Sequence, residues 1–572
     1  MNQKTFRNKG KNIKEMVFLS KEAFPDRDAF AIKEKGQIEH ISFFQLYKDI
    51  QNVGTEILNA GFGGERVGII GTNSYRWFNV FLAVVNSGGT AVPFDKGLTP
   101  EELRNCINRS KIKALFYDDV HEDMVKSSIS GLESTIKTYK MNGQGEVISQ
   151  MRLEGEERIR LGDKGFEKVE ISPNDLAVIL FTSGTTSNSK AVMLTHANIM
   201  SNIFAMQNFE QFYGTDVNMA FLPFHHSFGL VGVLVFMASG ASSVFCDGLK
   251  YVSKNMKEYG VTVFVGVPLI VESMYKKIQK KIQKDGLEAK VNKALKLSAI
   301  LSKLRIDVRR KLFSKIIDGL GGKLRLIIVG AAPLNRETSI GLNSYGISVI
   351  QGYGLTETSP VVAAERPWDL EAGSVGKPLP GISVVINNPD ENGIGEIILK
   401  GPNIMAGYLD QPEETGAVVK DGWFYTGDLG YFSPRGNIII TGRKKNVIVM
   451  KNGKNIFPEE IESHIERLPY ASEVMVFVRE KHNELVLWAK IVYKEDYYKE
   501  EFTAKGKSFD DFAQRVKEDI AEINDTMPKY KHINHFILTT EEMIKTTTQK
   551  VKRNLEIEKI SKQRDSEVWY NV

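Results

Sequence analysis

A chain of 572 residues is too long for one simple core and predicts two or more domains. Its 42% hydrophobic and 25% charged residues are the balance of an ordinary globular protein, and a net charge of +5 over this length is too weak to argue for nucleic acid. The two cysteines, Cys106 and Cys246, lie far apart and outside any CxxC pair, which argues against a disulfide framework or a cysteine-built metal site and fits a reducing compartment.

The first residues, MNQKTFRNKGKNIKEM, carry charge but no apolar stretch of the kind a secretory signal needs. Residues 66–71 (RVGIIG) read as a buried strand, 77–85 as the helix after it and 114–117 as another short strand. Residues 176–182 (LAVILFT) read as a strand entering a Gly/Ser/Thr loop, followed by a helix over 196–206. Two more β-branched runs lie at 261–267 and 324–329, so the pattern predicts α/β layers with largely parallel sheets. The longest apolar runs, near 78–85 and 230–238, fall short of a membrane span. The expected location is therefore the cytoplasm, with at most a peripheral attachment to the inner face of the membrane.

From about residue 382 the character changes. VVINN, GEIILKG and NIIITG are short strands separated by turns rich in Asp, Asn, Gly and Pro, which predicts a β-rich subdomain over about 382–442. Beyond it, EEIESHIERL and 509–523 read as helices, and VMVFV and LVLWAKIVY as strands. The expected division is a large N-terminal domain, 1–444, and a small α+β domain, 445–572.

Residues 275–316 hold fourteen Lys or Arg against three acidic residues, with apolar residues at helical spacing. Two readings stay open: a solvated helical excursion packed on one face, or a basic amphipathic surface for anionic membrane or an acidic substrate.

Three segments carry chemistry. FTSGTTSNSKAVMLTH, residues 181–196, is a strand opening into small hydroxyl residues, one glycine and a lysine; its backbone N–H groups, the hydroxyls of Thr182, Ser183, Thr185 and Thr186, and Lys190 could surround phosphate oxygens. It is not a Walker loop, since Ser189 and Ala191 stand where a second glycine and a magnesium-binding hydroxyl are needed. QGYGLTETSP, residues 351–360, offers close backbone approach at two glycines, a stacking face at Tyr353 and a hard oxygen ligand at Glu357. YTGD, residues 425–428, and TGR, residues 441–443, supply an aspartate that can accept from ribose hydroxyls and an arginine that can bridge ribose and phosphate. Each alone has an ordinary reading as a polar turn.

In this order the segments resemble the adenylate-forming superfamily of acyl-CoA synthetases, peptide-synthetase adenylation domains and luciferases, over about residues 43–553. FLPFHHSFG (221–229), VGAAPL (329–334), WFYTGDLGYF (423–432), GRKKNVIVMKNGKNIFPEEIE (442–462) and TTTQKVKR (546–553) extend the resemblance. It implies an enzyme that uses ATP to activate a carboxylic acid as an acyl-adenylate, releasing pyrophosphate, and then passes the acyl group to a thiol. By the resemblance, Thr182, Ser183, Gly184, Thr185, Thr186 and Lys190 hold the β- and γ-phosphates. Glu357, helped by Thr182, holds Mg²⁺. Gly330, Ala331, Ala332, Gln351, Gly352, Tyr353 and Gly354 form the adenine side, and Thr356 lies near the α-phosphate. Asp428 and Arg443 bind the ribose. Lys550 bridges carboxylate and phosphate as an electrostatic catalyst. The C-terminal domain swings about Lys445, bringing Asn452 and Gly453 near the entering thiol, and His226 gates pocket against tunnel.

There are departures from the family pattern. Ser187, Ser189 and Ala191 stand where glycine, proline and glycine are usual, Gln549 where glycine is usual and Ile544 where proline is usual. The extra helical sequence at 275–316 and the wording HHSFG and SVGKPLPG look most like the long-chain fatty acid–CoA ligases, so the expected substrates are a fatty acid, ATP and coenzyme A. Loading of a carrier-protein thiol, an aryl acid, and a catalytically degenerate nucleotide- or lipid-binding protein are the alternatives.

Overall fold

The computed structural model describes residues 6–34, 36–182, 189–371, 373–450, 455–481, 484–545, 551–562 and 569–572. The chain divides into two compact units. The first comprises Met1–Val384, Leu399–Phe424 and Pro434–Ile438; the second comprises Val385–Ile398, Tyr425–Ser433 and Ile439–Val572.

The first unit contains two large sheets. In one, the strands run in the order Lys377–Pro378, Val361–Ala364, Ser348–Gly354, Leu326–Val329, Val263–Gly266, Val217–Ala220, Ser242–Phe245, Asp28–Glu34, Gln37–Ser42. Its centre is parallel, with Val263 opposite Leu326 and Leu326 opposite Ser348. Such strands are covered on both faces, which is why VFVG and LIIV are continuous apolar runs without polar alternation. In the other sheet the order is Gly407–Tyr408, Ala191–Thr195, Leu176–Phe181, Thr90–Phe94, Arg66–Ile70, Ala114–Tyr117, Lys137–Lys140. Leu176–Phe181 pairs antiparallel with Ala191–Thr195, setting Phe181 opposite Ala191. The loop between them therefore starts and ends on adjacent strands. Thr195 then caps the helix His196–Phe209 through a reciprocal box with Asn198. Strand and helix thus follow one another as the sequence predicts.

In the second unit, the strands Ser383–Asn387, Gly395–Lys400 and Trp423–Phe432 lie in that order, with Ile438–Arg443 paired to the last. A further sheet pairs Ala471–Lys481, Glu484–Tyr493, Ile533–Thr539 and Trp569–Asn571. Helices Pro458–Ile465 and Phe509–Asp525 cover one face through Ile461, Ile465, Phe512, Val516 and Ile520. Helix Arg553–Lys562 reaches the opposite face, where Ile560 packs with Met475, Phe477, Trp488 and Ile537. Among the described residues no helix is long and apolar enough to cross a membrane. Cys106 and Cys246 are free thiols, and burial pushes Cys106 up to about 12.

Candidate active site

The first unit carries the ends of the expected phosphate loop, His226 and the strands expected to flank adenine. Thr182 and Lys190 close the loop: the Thr182 N–H donates to the Lys190 carbonyl at 2.8 Å. The Lys190 ammonium is 3.1 Å from a Glu414 carboxylate oxygen and 4.4 Å from the centre of the Tyr408 ring. Tyr408 in turn donates its hydroxyl to Glu357 Oε1 at 2.9 Å. Burial, followed by the charge on Glu357, pushes the phenol far above its ordinary range, so it stays a donor. One aromatic side chain thus connects the loop's lysine to the expected metal carboxylate. Neither Tyr408 nor Glu414 was legible in the motifs, because a tyrosine in GYLD and a glutamate in PEET carry no mark of their distant partners.

Arg109 is a third residue without a sequence signal. Its guanidinium donates to the Ser189 carbonyl at 2.6 Å and to the Ser189 hydroxyl at 3.2 Å, and it lies over the Phe181 ring. Ser189, one of the departures from the family pattern, therefore has a partner for its hydroxyl. The other departure at the loop's end, Ala191, is fully buried among Phe94, Cys106 and Leu409.

On the expected adenine side, Val329 pairs with Gln351, so the segments after both strands leave the same edge of the sheet. Gly330 is buried, and a Cβ there would lie 2.9 Å from the Phe228 ring. Ala331 and Ala332 are exposed, Ala331 with a φ of 73°. The Gln351 amide oxygen accepts from the Leu334 N–H at 2.9 Å, tying the two segments together. Gly354 cannot carry a side chain, since a Cβ would sit 1.9 Å from the Pro360 carbonyl. Tyr353 is buried rather than presenting an open stacking face. Thr356 and Glu357 lie on the single turn Thr356–Thr358, both partly accessible. Behind Gln351 lies Glu365: its Oε2 accepts from the Gln351 N–H at 3.0 Å, and burial pushes its carboxyl up to about 7 against the backbone hydrogen bonds it receives.

His226 is the residue that precedes the helix Ser227–Ala238, and Asn73 fixes the segment before it by bonding the backbone of Leu222 and Phe224. His225, buried, has its Nε2 3.2 Å from an Asp95 oxygen and its ring centre 4.3 Å from that of His226. Burial, then His226, pushes His225 well below the ordinary imidazole range, so it is neutral. Asp95, His225 and His226 bring one donor atom each within 4.8 Å of one another, a set that could hold a transition-metal ion.

The second unit brings together Asp428 and Arg443. Arg443 Nε is 3.0 Å from Asp428 Oδ1, and Asp428 is buried after a glycine, Gly427, with φ of 70°. Lys444 pairs with Glu396 at 2.8 Å, and Lys445 lies on the following short turn Lys444–Asn446, its pKa lowered by desolvation first and by Arg443 second. Lys550 lies outside the described residues, as do Ser183, Gly184, Thr185, Thr186, Ser187, Asn452, Gly453 and Gln549. The residues flanking Lys550 are described. Lys545 bridges Val551, the Lys552 N–H donates to the Ile544 carbonyl at 2.7 Å, and the Ile544 N–H donates to Glu556 at 3.0 Å. Glu473 takes the Met543 N–H at 3.0 Å and the Lys545 ammonium at 2.6 Å.

Glu357 and Thr182 offer oxygen donors only, the chemistry that a hard divalent cation such as Mg²⁺ takes, and Tyr408 holds one oxygen of the Glu357 carboxylate.

A model described as AMP-binding enzyme matches residues 18–409, and one described as AMP-binding enzyme C-terminal domain matches residues 445–565. Long-chain-fatty-acid–CoA ligase 5 of Rattus norvegicus is 33% identical over 464 residues, 75% of this chain and 67% of the relative. Fatty acyl-CoA synthetase A of Dictyostelium discoideum is 30% identical over 480 residues, 79% of this chain and 72% of the relative. Among solved structures, ATP-bound MatB from Rhodopseudomonas palustris matches with a TM-score of 0.74 at 25% identity, covering 96% of this chain and 99% of that one.

Proposed function

The chain belongs to the AMP-binding enzyme family and is an ATP-dependent, AMP-forming acid–thiol ligase, and on that premise we propose that it activates a long-chain fatty acid and delivers it to coenzyme A. A long-chain-fatty-acid–CoA ligase and a fatty acyl-CoA synthetase, each similar to it over three quarters of its length or more, support the choice of acid. The observation that carries the site is Tyr408, whose ring lies against Lys190 and whose hydroxyl is bonded to Glu357.

In the first half-reaction a carboxylate oxygen of the acid attacks the α-phosphorus of ATP and pyrophosphate leaves. Two anions must approach, so the residues' work is charge neutralisation and positioning. Lys190, with the hydroxyls of the 182–186 segment, takes the β- and γ-phosphates. Glu357 and Thr182 would hold Mg²⁺, which supplies further neutralisation of the phosphate charge. Gly330–Ala332 and Gln351–Gly354 receive the adenine, Thr356 faces the α-phosphate, and Asp428 with Arg443 holds the ribose. Lys550 would offset the charge that develops between carboxylate and phosphate. In the second half-reaction the thiolate sulfur attacks the acyl carbonyl carbon and AMP leaves. Residues 445–572 act as the mobile domain, turning at Lys445 so that Asn452 and Gly453 meet the thiol while His226 opens the way to it. The same enzyme draws its acid from a membrane that it contacts through residues 275–316.

The test is a panel of carboxylic acids assayed for ATP-dependent pyrophosphate release and for thioester formation with free coenzyme A. Long-chain acids should give both. Pyrophosphate release without coenzyme A thioester would assign the acyl group to a carrier protein instead, and release only with aryl acids would overturn the choice of acid.

A further inference from the structure

We propose that the outer face of the helix Glu288–Lys303 is a docking surface for an anionic lipid bilayer; this rests on the fatty acid reading and names the partner of its 275–316 segment. The helix has two apolar stripes where a globular helix needs one. The inner stripe, with Val291, Ala294 and Leu295, packs on Ile282, Phe313 and Tyr345. The outer stripe faces solvent: Leu297 is 47% exposed, Ile300 60% and Leu304 65%, and Ile306 follows at 50%. The spacing of three and four residues puts the first three on one line along the helix. Isolated exposed leucines need no explanation, but a line of branched aliphatic side chains does.

The surroundings say which partner. Lys290, Lys293, Lys296 and Lys303 flank the stripe, all exposed, and none of them has an ion-pair partner among the described residues. The preceding helix Pro268–Lys284 adds exposed Lys276, Lys277, Lys281 and Lys284. Across 275–316, fourteen cationic residues face three anionic ones. A protein partner could match either the apolar line or the charge; an anionic bilayer matches both at once. Aliphatic side chains enter the acyl boundary while lysine stems reach back to the headgroups. For an enzyme whose acid partitions into membranes, such a surface places the protein where its substrate is concentrated.

The experiment is flotation of the full chain with vesicles of phosphatidylcholine alone or with phosphatidylglycerol, without ATP or acid, so that its result is independent of the substrate panel. The wild type should float with anionic vesicles and stay largely free of neutral ones, with binding weakened by salt. The triple variant Leu297→Ser, Ile300→Ser, Leu304→Ser and the triple variant Lys293→Glu, Lys296→Glu, Lys303→Glu should each lose about 10-fold or more in vesicle partitioning. Both should keep wild-type turnover on a water-soluble medium-chain acid, which also shows that they fold. Leu161→Ser, at an exposed leucine elsewhere, should bind like the wild type. Failure of the wild type to bind anionic vesicles, or unchanged binding by the first triple variant, overturns the proposal. So does a self-association of the wild type that the first triple variant abolishes, since the stripe would then cover a second copy. Vesicle binding with a panel that accepts only aryl acids would leave the surface standing and remove the fatty acid reading.

Discussion

Lys490 and Glu556 form an ion pair at 2.8 Å with 1% and 0% of their side chains exposed, and the other carboxylate oxygen of Glu556 holds the Ile544 N–H. The pair therefore fixes the N-terminal end of the segment that carries Lys550. Glu556→Gln removes the carboxylate charge 2.8 Å from the buried Lys490 ammonium, which should cost about 3 kcal/mol of stability by chemical denaturation. Acyl-adenylate formation should fall by about 10²-fold through misplacement of the lysine. Thioester formation from supplied acyl-adenylate should fall far less, which a general loss of structure would not allow. Lys550→Ala should reproduce the activity pattern, with about 10²–10³ lost in the first half-reaction, and without the stability loss.

The same pair makes the unit acid-labile. Burial pushes Glu556 up, but the hydrogen bonds from Lys490 and Ile544 outweigh it and hold the carboxyl below its ordinary value of 4.5. A depressed carboxyl contributes stability above the unfolded value, and that contribution is lost as pH falls through the folded one. Glu556→Gln should flatten the acid limb of the stability–pH curve below about 4.5.

Glu365 has the opposite sign. Raised from 4.5 to about 7, it keeps its proton in the fold where the unfolded chain has released it, so stability declines as pH rises across that window. Glu365→Gln keeps an acceptor for the Gln351 N–H and should raise stability at pH 8 by about 2 kcal/mol while leaving it unchanged at pH 4. Thermal unfolding at the two pH values measures the difference.

Tyr408→Phe removes the donor that orients Glu357. The magnesium concentration for half-maximal adenylation should rise by about 10-fold, while Glu357→Gln should abolish most activity at any magnesium concentration. A titration of pyrophosphate release against magnesium checks both.

Glu414→Gln frees Lys190 from a partner that nucleotide must displace. The pair is largely solvated, so the effect is small: KM for ATP should fall about 2–5-fold with kcat nearly unchanged. Lys190→Ala should move KM the other way.

The layered fold was legible because its central strands are short continuous apolar runs, such as VFVG and LIIV, and buried parallel strands have that signature. The strand that enters the 182–190 loop and the strand that leaves it were legible because each is a contiguous apolar run. What stayed hidden is what contiguity cannot encode. Tyr408 reaches Glu357 across 51 residues and Arg109 reaches Ser189 across 80: the first contact links the edge strand Gly407–Tyr408 of one sheet to the turn Thr356–Thr358 that follows a strand of the other, and the second links the helix Pro100–Ser110 to the residues before the strand Ala191–Thr195. Tyr353 shows the reverse error of emphasis: an aromatic beside two glycines suggests an open face, yet its strand places it inside. Asp428 and Arg443 meet because Trp423–Phe432 and Ile438–Arg443 pair along one edge, a hairpin that the SPRGN turn announced.

The contact of Glu414 with Lys190 also sets a threshold for occupancy. A carboxylate already resting on the lysine acts as a resident competitor. A lone orthophosphate or sulfate must evict it with one weak interaction, whereas a triphosphate arrives with several attachments and evicts it in passing. If Lys190 takes phosphate as proposed, selection at this lysine goes by the number of linked anionic groups rather than by charge alone.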